Sequence, residues 1–353
     1  MDRYIGLDVH MQSCTMAVMG PTGRRLREEV IATNGRELVA AIRKVEGQRH
    51  LCMEEGTQSE WLYELLEPEV KELVVTVPEA SRGQKSDACD AWARADELRQ
   101  GSVKTKVFKA AAGQYTELRH AVRGYRFMVQ DMTRAKNRLK AIYRSRGITG
   151  MKDDAYDEAT RGPWLAKLGP SQRKLAELIS EQLDRSVELV TQAKERLEAA
   201  AGEHRIVRRL ATAPGLGTIR AAQVVATVVA AERFRTSRQF WSYCGLGIEM
   251  RTSSDWVQEK GRWVRSRVQQ TRGLNRNRNA VLKSVFKGAA KTVTTRMTDH
   301  PLARAHQALL AAGTKPNLAE LTIARRIASA VLAMWKHQED YDPGKQEAKP
   351  QTR

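Results

Sequence analysis

The chain of 353 residues has only four cysteines, Cys14, Cys52, Cys89 and Cys244, and no two form a CxxC pair. That spacing argues against a zinc knuckle or a disulfide framework. No apolar run approaches the roughly 18 residues needed to cross a bilayer, so no membrane partner is expected. A signal-peptide pattern is also missing, because Asp2 and Arg3 lead straight into a strand-like segment. These absences predict a protein of the reducing cytoplasm. What is plentiful is positive charge. The net charge is +19, yet the first 100 residues carry 13 Lys+Arg against 18 Asp+Glu, and the remainder 47 against 23. An acidic front and a basic remainder point to metal chemistry at one end and polyanion contact at the other. A basic protein whose charge serves only solubility is the plainer alternative.

The front reads as an α/β domain. Strands are predicted over residues 4–9, 14–19 and 24–32, with Pro21-Thr22-Gly23 as a turn. Asn34 is placed to cap a helix over 35–45. A strand over 50–53, a helix over 59–66, a strand over 73–77 and a helix over 87–99 capped by Ser86 follow. Three strands joined by tight turns are antiparallel, and later strands reached through helices are parallel crossovers. This is the order of a ribonuclease-H-like domain.

Beyond residue 105 strand signals nearly vanish. A basic helix over 116–146 carries Arg119, Arg123, Arg126, Arg134 and Arg138. After a break over 147–170, a helix over 171–201 bears an apolar stripe at Leu175, Leu178, Ile179, Leu183, Val187, Val190 and Leu197. The two helices form either a hairpin or a coiled-coil arm that also joins subunits. Pro214-Gly215-Leu216-Gly217 before a helix over 218–229 resembles a helix-hairpin-helix element, with Gly215 and Gly217 open to phosphate. A polar loop of hydroxyl residues, 251–255, precedes Lys260, Arg262, Arg265 and Arg276, which alternate with Trp256, Trp263 and asparagines. Such a mixture suits phosphate contact with base stacking. Helices over 280–293 and 318–336 close the chain. The expected divisions are 1–104, a basic helical linker 105–203, a mostly helical domain 204–341, and a disordered tail 342–353.

Four acids stand out. Asp8 is set in an apolar strand, where a carboxylate needs a partner. Glu54 ends a neighbouring strand, with Glu55 as a competitor, and Asp87 and Asp90 share one helix face at i and i+3. Carboxylates gathered this closely repel unless cations lie between them, and oxygen-only ligands favour Mg²⁺ or Mn²⁺. Two such ions about 4 Å apart serve phosphodiester chemistry. His10 reads as a strand-end residue, and Asp96 and Glu97 as a solvated face.

The residues Tyr4-Ile5-Gly6-Leu7-Asp8-Val9-His10, Met53-Glu54-Glu55-Gly56 and Lys85-Ser86-Asp87-Ala88-Cys89-Asp90-Ala91 resemble the acidic motifs of DEDD insertion-sequence transposases of the IS110 group, relatives of the Piv-type invertases. The resemblance continues through Pro214-Gly215-Leu216-Gly217, Tyr243-Cys244-Gly245-Leu246, Arg272-Gly273-Leu274-Asn275-Arg276 and 317–326. It implies a RuvC-like first domain and a nucleophilic serine in the last domain. Ser254 matches that serine, with Asp255 where glycine is usual and Ser253 as a competitor. It further implies a bacterial or archaeal, nucleoid-associated protein guided by a structured bridge RNA that pairs with donor and target double-stranded DNA. A covalent serine–DNA link, assisted by the acidic site, would form in a homodimer, two of which meet. Arg251 would then stabilise charge on the phosphate. The alternatives are a metal-dependent, structure-selective nuclease without a covalent step and a non-catalytic nucleic-acid binder.

Overall fold

The computed structural model describes residues 1–78, 87–103, 106–109, 113–251, 256–265, 270–275 and 277–344. The expected cap Ser86, the serines Ser253 and Ser254, Asp255, Arg276 and the tail from 345 lie outside the described residues. The chain divides into two compact units, Met1–Gln114 and Tyr115–Arg353.

In the first unit, strands β1 (Asp2–Val9), β2 (Ser13–Met19) and β3 (Arg25–Ala32) are followed by helix α1 (Gly35–Arg43), β4 (Gln48–Glu54), α2 (Ser59–Leu66), β5 (Glu72–Thr76), α3 (Asp87–Gln100) and β6 (Lys106–Val107). Asn34 caps α1, its side chain accepting from the backbone N–H groups of Arg36 and Glu37. The strands form one mixed sheet in the order β3-β2-β1-β4-β5-β6. β1, β2 and β3 pair antiparallel, and β4 and β5 run parallel to β1, as the tight turns and helical crossovers require. The two-residue β6, antiparallel to β5, is an addition that the sequence did not suggest.

Alternation along the strands builds a different core on each sheet face. Ile5, Leu7, Met16, Leu51 and Met53 pack with Leu38 and Ile42 of α1 and Leu62 and Leu66 of α2. On the other face, Ala17, Met19 and Cys52 meet Ala91, Trp92, Ala95 and Leu98 of α3. Gly6 makes that second contact possible. A Cβ there would lie 1.8 Å from the carbonyl oxygen of Ala91, so only glycine lets α3 sit on β1 this closely.

The second unit is mainly helical. α4 (Thr116–Arg144), the short α5 (Gly162–Leu165) and α6 (Pro170–Gly202) precede α7 (Arg205–Ala211), α8 (Gly217–Val228) and α9 (Ser237–Tyr243). Strands β7 (Ile248–Arg251), β8 (Trp256–Glu259), β9 (Arg262–Arg265) and β10 (Gln270–Leu274) come next, then α10 (Ala280–Arg296), α11 (Pro301–Ala311) and α12 (Pro316–His337). α4 and α6 pack together along their length. At one end Leu118, Val122, Leu197 and Ala201 join the core of α7, α8, α10 and α12. At the other, Ala135, Leu139, Tyr143, Leu168, Ala176 and Leu183 form a smaller core.

Two expectations need correction here. The stripe on α6 is not one buried seam, because Leu175, Leu178 and Val187 are exposed while Ala176, Ser180 and Ser186 are buried. Small residues let the two helices approach, so the contact follows size as well as hydrophobicity. The last domain was expected to be mostly helical, yet after α9 it holds two ribbons, β7 with β10 and β8 with β9.

Candidate active site

Tyr4, Gly6 and Asp8 occupy the α3 side of β1 by strand alternation. Parallel pairing of β1 with β4 reaches Leu7 and Met53, so Asp8 and Glu54 lie one step further on neighbouring strands. α3 supplies Asp87, Asp90 and Arg94, spaced at i, i+3 and i+7 on the face that carries Ala91 and Ala95. The docking of α3 thus brings acids from the sheet and the helix to one place.

The side chains divide around Asp8. Its Oδ2 lies 3.1 Å from Nε2 of His10, which is also 3.2 Å from Oδ1 of Asp87. Its Oδ1 lies 3.4 Å from Nη1 of Arg94. Nη2 of Arg94 reaches Oε1 of Glu54 at 2.6 Å. Glu55 turns elsewhere and pairs with Nζ of Lys109 at 2.7 Å. Burial pushes the Asp8 carboxyl above its ordinary value, while Arg94 and His10 pull it down and Asp87 and Asp90 push it up. Asp8, His10 and Asp87 each offer one ligand atom, all within 4.8 Å of one another.

Two members were missed in the sequence. His10, read as a strand end, stands between Asp8 and Asp87. Arg94 is buried, at 7% exposure, among acids. Its spacing from Asp87 and Asp90 was the available signal, but one arginine among so many reads as surface. Asp96, by contrast, faces Arg99 and Gln100 at the partly open side of α3, as expected.

Comparison with known families bears on this arrangement. A family model described as a transposase, that of the DEDD transposases of IS110 type, matches residues 5–147. A second, described as the transposase IS116/IS110/IS902 family, matches residues 207–307. Together they span more than half of the chain. The chain belongs to the IS110 family of DEDD transposases. No curated protein matches it. The transposase is therefore a DNA-acting enzyme of insertion-sequence type, classed by its acids. The nucleophilic serine implied by the motif resemblance does not make the chain a serine recombinase by class, since the matched family is a DEDD one.

A divalent cation is the cofactor that such a transposase implies, and the donors fit it. Three ligand atoms converge, two of them carboxylate oxygens. The other candidate residues of the transposase lie in the second unit. On α4, Arg123, Arg134 and Arg138 are exposed, and Arg119 and Arg126 are half-buried. Arg134 pairs with Asp131 and Arg138 donates to Gln182. Gly215 and Gly217 both have positive φ, at +74° and +61°. A Cβ on Gly215 would lie 2.4 Å from the carbonyl oxygen of Ala289, so its bareness serves packing on α10, whereas Gly217 faces open space. Arg251 ends β7, and Arg262 and Arg265 bound β9. Lys260 and Gly261 form the tight turn of the β8–β9 ribbon with φ of +51° and +77°. Trp256 and Trp263 stand exposed on that ribbon. Among the described residues no helix is long and apolar enough to cross a membrane.

Proposed function

We propose that this transposase cleaves and rejoins donor and target DNA with a divalent ion, Mg²⁺ or Mn²⁺, held at the acids of a ribonuclease-H-like first domain. The observation that carries the reading is the convergence of Asp8, His10 and Asp87 on one point beside Glu54 and Asp90. When bound, the ion would lower the pKa of a bound hydroxyl or polarise a phosphate oxygen. The chain's own groups do the rest. Asp8 and Asp87 present carboxylate oxygens, Arg94 fixes Glu54 beside Asp8, and the packing of α3 on β1 sets the spacing.

The finer steps follow the motif resemblance. The Ser254 oxygen bonds to a DNA phosphorus as the bond from that phosphorus to the 3′ or 5′ oxygen breaks, and the serine proton passes through solvent to the leaving oxygen. A serine hydroxyl needs activation for this, and no histidine is adjacent in sequence. A structured bridge RNA selects both duplexes, and homodimers pair to exchange strands. The basic residues of α4, with Gly217, Arg251, Lys260, Arg262, Arg265 and Arg276, hold nucleic acid. The divisions 1–104, 105–203 and 204–341 serve catalysis, an arm and the serine domain.

Adduct trapping tests the covalent step. A covalent protein–DNA species should form with the wild type and with Thr252→Ala, and vanish in Ser254→Ala. Cutting and joining by Ser254→Ala without any adduct would favour the metal-only nuclease. Asp8→Asn should abolish cleavage and leave RNA binding intact, and full activity would remove the acids from the reaction. Sequencing of co-purified RNA tests guidance: one element-flanking transcript supports it, and random cellular RNA refutes it.

A further inference from the structure

We propose that the acidic centre takes a single divalent ion, and that the Arg94 guanidinium fills the place of a second cation between Asp8 and Glu54. The inference rests on the reading of these acids as a metal centre.

The two oxygens of Asp8 serve opposite sides. Oδ2 belongs to the His10 and Asp87 side, where ligand atoms converge. Oδ1 faces Nη1 of Arg94 at 3.4 Å, and Nη2 of the same guanidinium takes Oε1 of Glu54 at 2.6 Å. A carboxylate that bridges two ions would place the second where Arg94 stands. Arg94 cannot easily leave. It is 7% exposed, and its neighbours Ala91 and Ala95 are locked on β1 by the close approach at Gly6. Its Nε and Nη1 make no hydrogen bond, so the ion pairs to Glu54 and Asp8 are what offset its burial. A dication at the same place would take those partners away and set like charges side by side in a poorly solvated pocket.

The guanidinium also differs from an ion in kind. It is part of the chain and cannot be chelated away. Asp8 and Glu54 are therefore held in place before any metal arrives. The remaining donors, Asp8 Oδ2, His10 and Asp87, form a three-atom seat that leaves coordination positions for water or a phosphate oxygen.

The test is ion counting on the full-length, metal-free chain with Mn²⁺ as the probe. Equilibrium dialysis gives the number bound, and electron paramagnetic resonance separates isolated ions from coupled pairs. The wild type should bind one Mn²⁺ per chain with an isolated-ion spectrum, and Arg94→Lys should do the same. Arg94→Met should bind two, with a coupled spectrum. Two coupled ions in the wild type, or one in a folded Arg94→Met, would overturn the proposal. If Arg94→Met does not fold, the wild-type count alone decides between one ion and two. Binding of no Mn²⁺ by the wild type, or equal binding by Asp8→Asn, overturns the metal-centre reading itself and is distinct from a count of two.

Discussion

Gly6→Ala probes how the fold makes the site. The added Cβ would stand 1.8 Å from the Ala91 oxygen, 2.8 Å from the Ala95 nitrogen and 2.9 Å from the Ala91 carbon. All three are backbone atoms, so no side chain can rotate aside. Ordinary contact begins near 3.4 Å, and α3 must therefore retreat from β1 by roughly 1.5 Å. Gly6 is not in the left-handed region, so the effect is steric. Overpacking of this kind costs about 1–3 kcal/mol, and the unyielding obstruction argues for the upper end. The effect on the metal centre is larger. Asp8 rides on the sheet and Asp87 on the helix, while metal–ligand distances tolerate only about 0.2 Å. Mn²⁺ affinity should fall more than about tenfold, measured by titration of the metal-free chain, alongside a lower urea midpoint. Gly20→Ala, whose nearest neighbour would be 3.7 Å away, is the control and should stay within about 0.5 kcal/mol of wild type. A Gly6→Ala chain with wild-type stability and wild-type Mn²⁺ binding would refute the argument.

Cys14, Cys52 and Cys244 are buried and Cys89 is exposed; burial pushes the Cys52 thiol up to about 12 and raises the other two buried thiols. A thiol-specific disulfide reagent should react promptly with one equivalent in the native chain and with four in denaturant, and two or more prompt equivalents would contradict the packing. Leu139 is 1% exposed in the distal core of α4 and α6, so Leu139→Ala should cost about 2–5 kcal/mol by denaturant unfolding, and a loss below about 1 kcal/mol would mean that this core is not formed. Arg43 donates to Glu69 through Nε at 2.8 Å and Nη2 at 2.6 Å, and that hydrogen bond holds the carboxyl below its ordinary 4.5. A depressed carboxyl adds stability that is present above its unfolded pKa and lost as pH falls through the folded one, so Arg43→Ala should flatten the acid limb of the stability curve below about pH 4.5; an unchanged limb would count against the pair.

The sheet and its acids were legible because both rest on period-two alternation. Tyr4, Gly6 and Asp8 had to share a face, and the tight turns and helical crossovers put β4 beside β1, which brings Glu54 to Asp8. The spacing of Asp87 and Asp90 placed them on one face of α3. His10 and Arg94 were hidden for a different reason. Each takes its role from where α3 docks, and docking depends on Gly6, whose missing side chain leaves no periodic signal. The ribbons β7 to β10 were hidden because their strands are short and rich in charge, so alternation never builds up. On α6 the heptad stripe misled, since Ala176, Ser180 and Ser186 carry the buried contact while Leu175, Leu178 and Val187 face outward.

Charge ties the acidic centre to its substrate. Asp8, Glu54, Asp87 and Asp90 would together repel a phosphate at short range. Arg94 cancels one of those charges, and a single divalent ion would cancel two more, leaving the centre close to neutral. The ion should then matter for chemistry and for the final approach, and little for overall affinity. Affinity should come from the residues after 100, where Lys and Arg outnumber Asp and Glu by 47 to 23, through release of counterions from DNA. The logarithm of the binding constant should fall steeply with the logarithm of salt concentration. Because one ion adds at most one phosphate contact, that slope should change by no more than about one when Mn²⁺ replaces a chelator. A change of several units would mean that the metal reorganises the basic surface, and the neutralisation argument would fail.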